Sequence, residues 1–186
     1  MVLFVNACVR GDSRTKRLAD CLLARLDQPV TELCLADRFF PSVDEGFLKK
    51  RDCLLDRGEL SDPIFALARQ FAQAEEIVIA APYWDLSFPA ALKQYLEQIN
   101  VVGITFRYTE DGRPEGLCRA RRLCYVTTAG GVFVPDAYGF GYVKALAENF
   151  YGIHPVEKIC AIGLDLEGAD AEQILSDCKE EICRRF

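Results

Sequence analysis

The sequence predicts a doubly wound α/β domain built on a five-stranded parallel sheet with strand order 2-1-3-4-5. Its 186 residues are 51% hydrophobic, which suits one domain with a sizeable core. Short apolar runs without alternation, such as 77–81, are typical of strands buried on both faces of a parallel sheet. Helical patterns separate these runs, as in successive βαβ units. We therefore expect a single domain over residues 1–186.

The first part of the chain predicts two strands and three helices. A buried run at 2–6 and an alternating run at 30–35 are strand patterns. Between them, leucines at helical spacing predict a helix that is capped by Ser13 or Thr15 and ends near Leu26. A long charged segment at 36–62 should contain a short helix around 45–57, and Asp62-Pro63 begins a helix to Ala74. The long segment is expected to be functional.

The central unit, residues 76–99, is a strand, an aromatic loop and a helix in which Ser87 is the expected N-cap and Pro89 lies in the first turn. A β-hairpin is expected within 103–117, with its turn at 110–112. The remaining patterns predict strands at 122–128 and 158–164 and helices at 142–150 and 169–184. The resulting order has five sheet strands, and the arrangement 2-1-3-4-5 is called flavodoxin-like.

Charge, hydropathy and cysteine usage exclude several classes of function. The net charge of −6 argues against a nucleic-acid partner and against an anionic membrane surface. No apolar run reaches the length of a membrane span, and the N-terminus lacks the basic region of a signal peptide. Nine cysteines without a CxxC pair, together with one histidine, do not indicate a zinc site. We interpret most of the cysteines as small buried hydrophobic residues in a reducing compartment, which indicates a cytoplasmic protein.

Three loops should converge beyond the carboxyl ends of strands 1, 3 and 4, where ligands bind in this class of sheet. The first loop has the hydroxyls of Ser13 and Thr15, with Arg10 and Arg14 nearby, at a helix N-terminus. This combination suits a phosphate group, although a plain capped helix would explain it equally well. The loop matches neither the Walker pattern nor GxGxxG, which argues against a nucleoside triphosphate.

The second and third loops should form the other side of this site. Residues 82–88 offer aromatic rings and backbone N–H groups, and Gly130-Gly131 lets the backbone approach a ligand closely, unless it is simply a turn. A phosphate site at one end, with aromatic rings and backbone groups at the other, suits a planar phosphorylated heterocycle such as FMN.

The segment APYWDLSFPAALKQYLEQINVVGITFRYTEDGRPEGL, followed by a strand that ends in TTAGG, resembles the FMN-dependent NAD(P)H azoreductase and quinone reductase family of flavodoxin-like homodimers. Its pattern is AP-x6-PA-x-LK, then G-x-TF-x-YT-x-x-G, then GG. The resemblance implies FMN as cofactor, NADH or NADPH as co-substrate, and quinones, azo or nitro compounds as electron acceptors. Two-electron hydride transfer would follow a ping-pong scheme.

The resemblance also implies roles for individual residues. The FMN-binding residues would be Cys8, Ser13, Arg14, Thr15, Pro82, Tyr83, Trp84, Asp85, Leu86, Thr128, Ala129, Gly130 and Gly131. The first loop would hold the phosphate, residues 82–86 the isoalloxazine and residues 128–131 its pyrimidine edge. Trp84, Tyr108 and Tyr138 would border the reacting atoms and the substrate. The sequence departs from the family pattern at Cys8, Asp85, Leu86 and Ala129.

Two other functions remain open from the sequence. Cys8 and Arg14 match the C-x5-R-[ST] signature of low-molecular-weight protein tyrosine phosphatases, in which a cysteine thiolate attacks phosphorus. In that case Asp136 could act as the proton donor. The alternative is a passive flavodoxin-type electron carrier. The hairpin at 103–117 and the loop at 129–140 favour an enzyme that admits two substrates in turn.

Overall fold

A computed structural model of the chain describes residues 1–186, in which five parallel strands form the central sheet. The elements are β1 (Val2–Asn6), α1 (Arg14–Leu23), β2 (Val30–Cys34), α2 (Glu45–Asp56), α3 (Ala66–Gln73), β3 (Glu76–Ala80), α4 (Ala90–Ile99), β4 (Phe106–Tyr108), β5 (Pro114–Gly116), β6 (Leu123–Thr128), α5 (Phe140–Leu146), β7 (Val156–Ala161) and α6 (Ala171–Arg185). The sheet order β2-β1-β3-β6-β7 confirms the predicted order 2-1-3-4-5, because β4 and β5 pair only with each other.

The sheet separates two apolar layers. On one face, the side chains of β1, β3 and β6 pack with α1 and α6 around residues such as Leu18 and Leu175. On the other face, α3, α4 and α5 cover a larger layer that includes Phe71 and Tyr95. The three central strands are buried on both faces, which explains why their sequences do not alternate between apolar and polar residues. None of the helices is both long and apolar enough to cross a bilayer.

The hairpin of β4 and β5 is fixed to the domain by a close contact between backbones. A Cβ atom at Gly116 would lie 2.2 Å from the backbone nitrogen of Gly152 and 2.2 Å from the carbonyl carbon of Tyr151. Gly152 has a φ of 71°, and it ends the π-helical turn Ala147–Tyr151 that follows α5. Only glycine at position 116 permits this approach, so the hairpin has a fixed position relative to α5.

Several predicted boundaries are wrong for identifiable reasons. Helix α4 begins after Pro89, and Ser87 does not cap it, because the Ser87 hydroxyl donates instead to the carbonyl of Tyr138 at 2.8 Å. The fifth strand ends at Ala161 rather than at Leu164. There the chain turns at Gly163, which has a φ of 76° and donates its N–H to the carbonyl of Gly131 at 3.0 Å. Both differences bring loop segments toward the carboxyl edge of the sheet.

Candidate functional site

A cavity of about 590 Å³ lies at the carboxyl edge of the sheet, within the size range of small-molecule sites. It brings together most of the residues that the sequence assigned to the three converging loops. These residues are Ser13, Arg14, Thr15, Pro82, Tyr83, Trp84, Thr128, Ala129 and Gly130. A fourth wall comes from Leu164 and Asp165 in the connection between β7 and α6 and from Glu172 in the first turn of α6.

The N-terminus of α1 forms one end of the cavity. Ser13 is the N-cap, and its hydroxyl accepts from the N–H of Lys16 at 3.3 Å. The N–H groups of Arg14 and Thr15 donate to no acceptor within the chain. The Thr15 hydroxyl is buried and lies 2.6 Å from the hydroxyl of Thr128 on β6. Two free N–H groups and a hydroxyl at the positive end of a helix are suited to a phosphate group, so this end fits the phosphate of FMN.

Two arginines at this end are already oriented, one by the β7–α6 connection and one by the first turn of α6. The Arg14 guanidinium donates to the carbonyl of Leu164 at 3.1 Å and to the carboxylate of Asp165 at 2.7 Å. Arg17 makes two hydrogen bonds to Glu172, at 2.8 and 2.6 Å. These hydrogen bonds lower the pKa of the Glu172 carboxyl. Positive groups therefore face the cavity in fixed positions, partly balanced by carboxylates.

Gly130 allows the β7–α6 connection to approach the loop after β6. A Cβ atom at this position would lie 2.2 Å from the Asp165 carboxylate. The backbone also joins the two segments, because the N–H groups of Leu164 and Asp165 donate to the carbonyls of Ala129 and Gly130 at 3.2 and 3.0 Å. This wall was not predicted from the sequence. The glycine at position 163, next to the end of a predicted strand, was the signal that could have located it.

The loop after β3 forms a tight turn that supports Trp84. Trp84 and Ser87 exchange two backbone hydrogen bonds of 3.2 and 2.7 Å. The two residues between them have positive φ angles, 49° at Asp85 and 68° at Leu86, as in a type I′ turn. A positive φ is costly for leucine, and such strain is typical of functional sites. The N–H of Tyr83 donates to the carbonyl of Thr128 at 3.0 Å, which attaches this loop to β6.

Six of the assigned residues do not line the cavity. Asp85, Leu86 and Gly131 lie beside it in the same loops, and Tyr108 and Tyr138 are exposed outside it. The carbonyl of Tyr138 is nevertheless next to the Trp84 turn, because it accepts from Ser87. Cys8 lines a neighbouring cavity of about 530 Å³ between the ends of β1 and β2.

The surroundings of Cys8 do not support phosphatase chemistry. Its side chain is 5% exposed, and burial raises the pKa of its thiol, whereas a phosphatase nucleophile needs a lowered pKa. The expected proton donor, Asp136, pairs with Lys158 on β7 at 2.5 Å. The residues of the C-x5-R match are therefore not arranged as the active site of a phosphatase.

Comparison with known proteins gives consistent results over nearly the whole chain. A family model described as the flavodoxin-like fold matches residues 1–186. The chain is 34% identical to the FMN-dependent NADH:quinone oxidoreductase of Clostridium beijerinckii, over 95% of the chain and 92% of the relative. It is 35% identical to the FMN-dependent NADH:quinone oxidoreductase 2 of Clostridium acetobutylicum, over 97% and 94%. The crystal structure of an azoreductase from Bacillus anthracis superposes with a TM-score of 0.84, at 26% identity over 98% and 96% of the two chains.

Proposed function

This chain belongs to the flavodoxin-like fold family, and we propose that it is an FMN-dependent NADH:quinone oxidoreductase. The main support for this proposal is the cavity at the N-terminus of α1. It presents two free N–H groups, the Thr15 hydroxyl and two oriented arginines. The relatives that share about a third of its sequence over nearly its whole length have this activity in their names. The azoreductase with a similar structure supports azo compounds as alternative acceptors.

We assign the phosphate of FMN to Ser13, Arg14 and Thr15, with Arg17 as an additional cation. The N–H groups of Asp85 and Leu86 have no acceptor within the chain and would hydrogen-bond the polar edge of the flavin. Trp84 and Tyr83 would hold the face of the ring, and residues 128–131 would contact its pyrimidine edge. Bound FMN would supply the redox chemistry, which is the transfer of a hydride from NADH and of two electrons to the acceptor.

The protein contributes orientation and exclusion of water rather than an acid or a base. The side chains that line the flavin end of the cavity are aromatic, aliphatic or hydroxylic, and the carboxylates of Asp165 and Glu172 are engaged with arginines. Trp84 is 40% exposed, so the ring face beside it is open to substrates. One open face that serves NADH and the acceptor in turn requires that the first product leaves before the second substrate binds. We therefore expect ping-pong kinetics.

Absorbance spectroscopy of the purified protein tests the cofactor directly. We expect flavin absorption bands and release of FMN, not FAD or riboflavin, on denaturation. Under anaerobic conditions, NADH should bleach the flavin bands and a quinone should restore them. Double-reciprocal plots should give parallel lines, and intersecting lines would exclude the ping-pong scheme. A protein that binds FMN but is not reduced by NADH would be a passive carrier, and one that binds no flavin would refute the proposal.

We also propose that the protein is a homodimer and that it functions in the cytoplasm. Large apolar side chains remain exposed, with exposed fractions of 44% at Val102, 76% at Phe133 and 61% at Tyr138. A second subunit would cover them and bring Tyr108 or Tyr138 toward the substrate. All nine cysteines are free, which is typical of proteins in a reducing compartment. The expectation that most of them are buried was wrong, because only Cys8, Cys124 and Cys178 are buried.

The substitution Val102→Asp tests the dimer. It places a charge on the expected interface, so we expect dissociation to a monomer and a parallel loss of quinone reduction. Sedimentation measures the first effect and NADH oxidation the second. Val30→Asp, at the exposed edge strand β2, is the matched control and should change neither. A wild-type monomer with full activity at assay concentration would contradict the proposal.

A further inference from the structure

Asp165 connects the two ends of the cavity. Its carboxylate accepts from the Arg14 guanidinium at 2.7 Å, and its backbone N–H donates to the carbonyl of Gly130 at 3.0 Å. Arg14 belongs to the end assigned to the phosphate, and Gly130 belongs to the end assigned to the pyrimidine edge of the flavin. We infer that Asp165 is a positioning residue, which holds Arg14 in place for the phosphate and so favours FMN over riboflavin. This inference rests on the proposed function.

The position of Asp165 is itself set by the loop after β6. Besides the hydrogen bond from Asp165 to Gly130, the N–H of the preceding Leu164 donates to the carbonyl of Ala129 at 3.2 Å. The Asp165 carboxylate also packs directly against the backbone at Gly130, where a Cβ atom would overlap it. Two backbone hydrogen bonds and this close packing restrain the carboxylate before any ligand binds. Arg14 therefore pairs with a group that is already held in place.

Arg14 keeps donors for a ligand while it is held. Its guanidinium donates one N–H to the carbonyl of Leu164 at 3.1 Å and another to Asp165. A guanidinium has more N–H donors than these two contacts use, so others remain for a phosphate. An arginine that is fixed in advance loses less conformational freedom when it binds its ligand. Positioning by Asp165 should therefore strengthen the binding of FMN and leave that of riboflavin, which has no phosphate, unchanged.

The charge of Asp165 acts in the opposite direction. A carboxylate repels a phosphate, so removal of the charge alone should strengthen FMN binding. The Asp165 side chain is 64% exposed, however, and water and salt screen this repulsion. The sign of the effect therefore separates the two roles. Positioning predicts weaker FMN binding when the carboxylate is removed, and repulsion predicts stronger binding.

The dissociation constants of FMN and riboflavin test the inference, measured by flavin fluorescence on the full-length chain after its flavin has been removed. Asp165→Ala should raise the Kd for FMN about five-fold, as expected for loss of an exposed ion pair, and should leave the Kd for riboflavin unchanged. Asp165→Asn keeps an oxygen acceptor for Arg14 and should restore most of the affinity. Glu167→Ala is the matched control, because it removes an exposed carboxylate of the same connection that does not line the cavity. It should change neither constant.

A double-mutant cycle with Arg14→Ala shows whether Asp165 acts through Arg14. In that background, Asp165→Ala should weaken FMN binding no further, and a further loss of similar size would overturn the inference. Equal losses for both flavins, tighter FMN binding in Asp165→Ala, or a loss in Asp165→Asn as large as in Asp165→Ala would also overturn it. These outcomes in a wild type that binds FMN and reduces quinones would refute only this inference, whereas a wild type that binds no flavin would refute the proposed function as well.

Discussion

The hydroxyl of Thr15 offers the sharpest test of the phosphate site. We consider the substitution Thr15→Val, which keeps the shape of the side chain and removes only the oxygen. If Thr15 binds the phosphate, FMN loses one hydrogen bond to a charged group, worth about 1.5–3 kcal/mol. That loss corresponds to a roughly 10- to 100-fold increase in the Kd for FMN. Riboflavin has no phosphate, so its affinity should not change.

The same substitution also affects folding, because Thr15 and Thr128 lie 2.6 Å apart and are both buried. The single variant leaves the Thr128 hydroxyl without a partner, at a cost of about 1–3 kcal/mol in the free energy of unfolding. Replacing both residues with valine removes the unpaired group and should restore most of that stability. The double variant should therefore be stable and should still bind FMN weakly.

Quenching of flavin fluorescence measures both affinities, and urea unfolding measures stability. The decisive quantity is the ratio of riboflavin to FMN dissociation constants in each variant. An equal loss of affinity for the two flavins would mean that Thr15 only maintains the shape of the cavity. Unchanged FMN affinity in the stable double variant would refute the assignment of the phosphate to this end of the cavity.

Three further predictions concern other positions. Gly116→Ala should lower the free energy of unfolding, measured by urea titration, by about 3 kcal/mol, because the added Cβ atom meets backbone atoms that cannot move aside. Gly131→Ala, which has open space around it, should leave the free energy of unfolding nearly unchanged. Cys8→Ser should bind FMN normally and, like the wild type, should not hydrolyse aryl phosphates; phosphatase activity that disappears in this variant would restore the phosphatase interpretation. Leu86→Gly should raise the free energy of unfolding by about 1 kcal/mol, because glycine adopts a positive φ without strain. A lower free energy of unfolding would show that the Leu86 side chain stabilises the fold by more than the backbone strain costs.

The sequence predicted the sheet well because its order is encoded in local patterns. The central strands, buried on both faces, appear as unbroken apolar runs, and the helix starts carry recognisable caps such as Ser13. The same patterns placed the loops after β1, β3 and β6 at one edge of the sheet. Those loops line the observed cavity, so the general position of the site was predictable from topology alone.

Other parts of the site leave no local pattern. The Arg14–Asp165 pair joins residues 151 positions apart, and nothing in the segment around Asp165 indicates its partner. The direction of the Cys8 side chain is likewise set by tertiary packing, so the C-x5-R match could not show that its thiol is buried beside β1. Leu86 adopts a φ that local preference assigns to glycine or asparagine, because the hydrogen bonds between Trp84 and Ser87 impose it.

The participation of the β7–α6 connection has a consequence for how the protein is made. One wall of the cavity comes from residues 9–17 and the facing wall from residues 164–172. During translation the first wall emerges early, but the arginines on it meet their carboxylate partners only after Glu172 has been synthesised and the last strand has joined the sheet. A nascent chain that lacks this segment has only one of the two walls of the cavity. Cofactor loading is therefore expected to follow synthesis of nearly all of these residues, and flavin supply should affect the stability of the completed protein rather than the early steps of its folding.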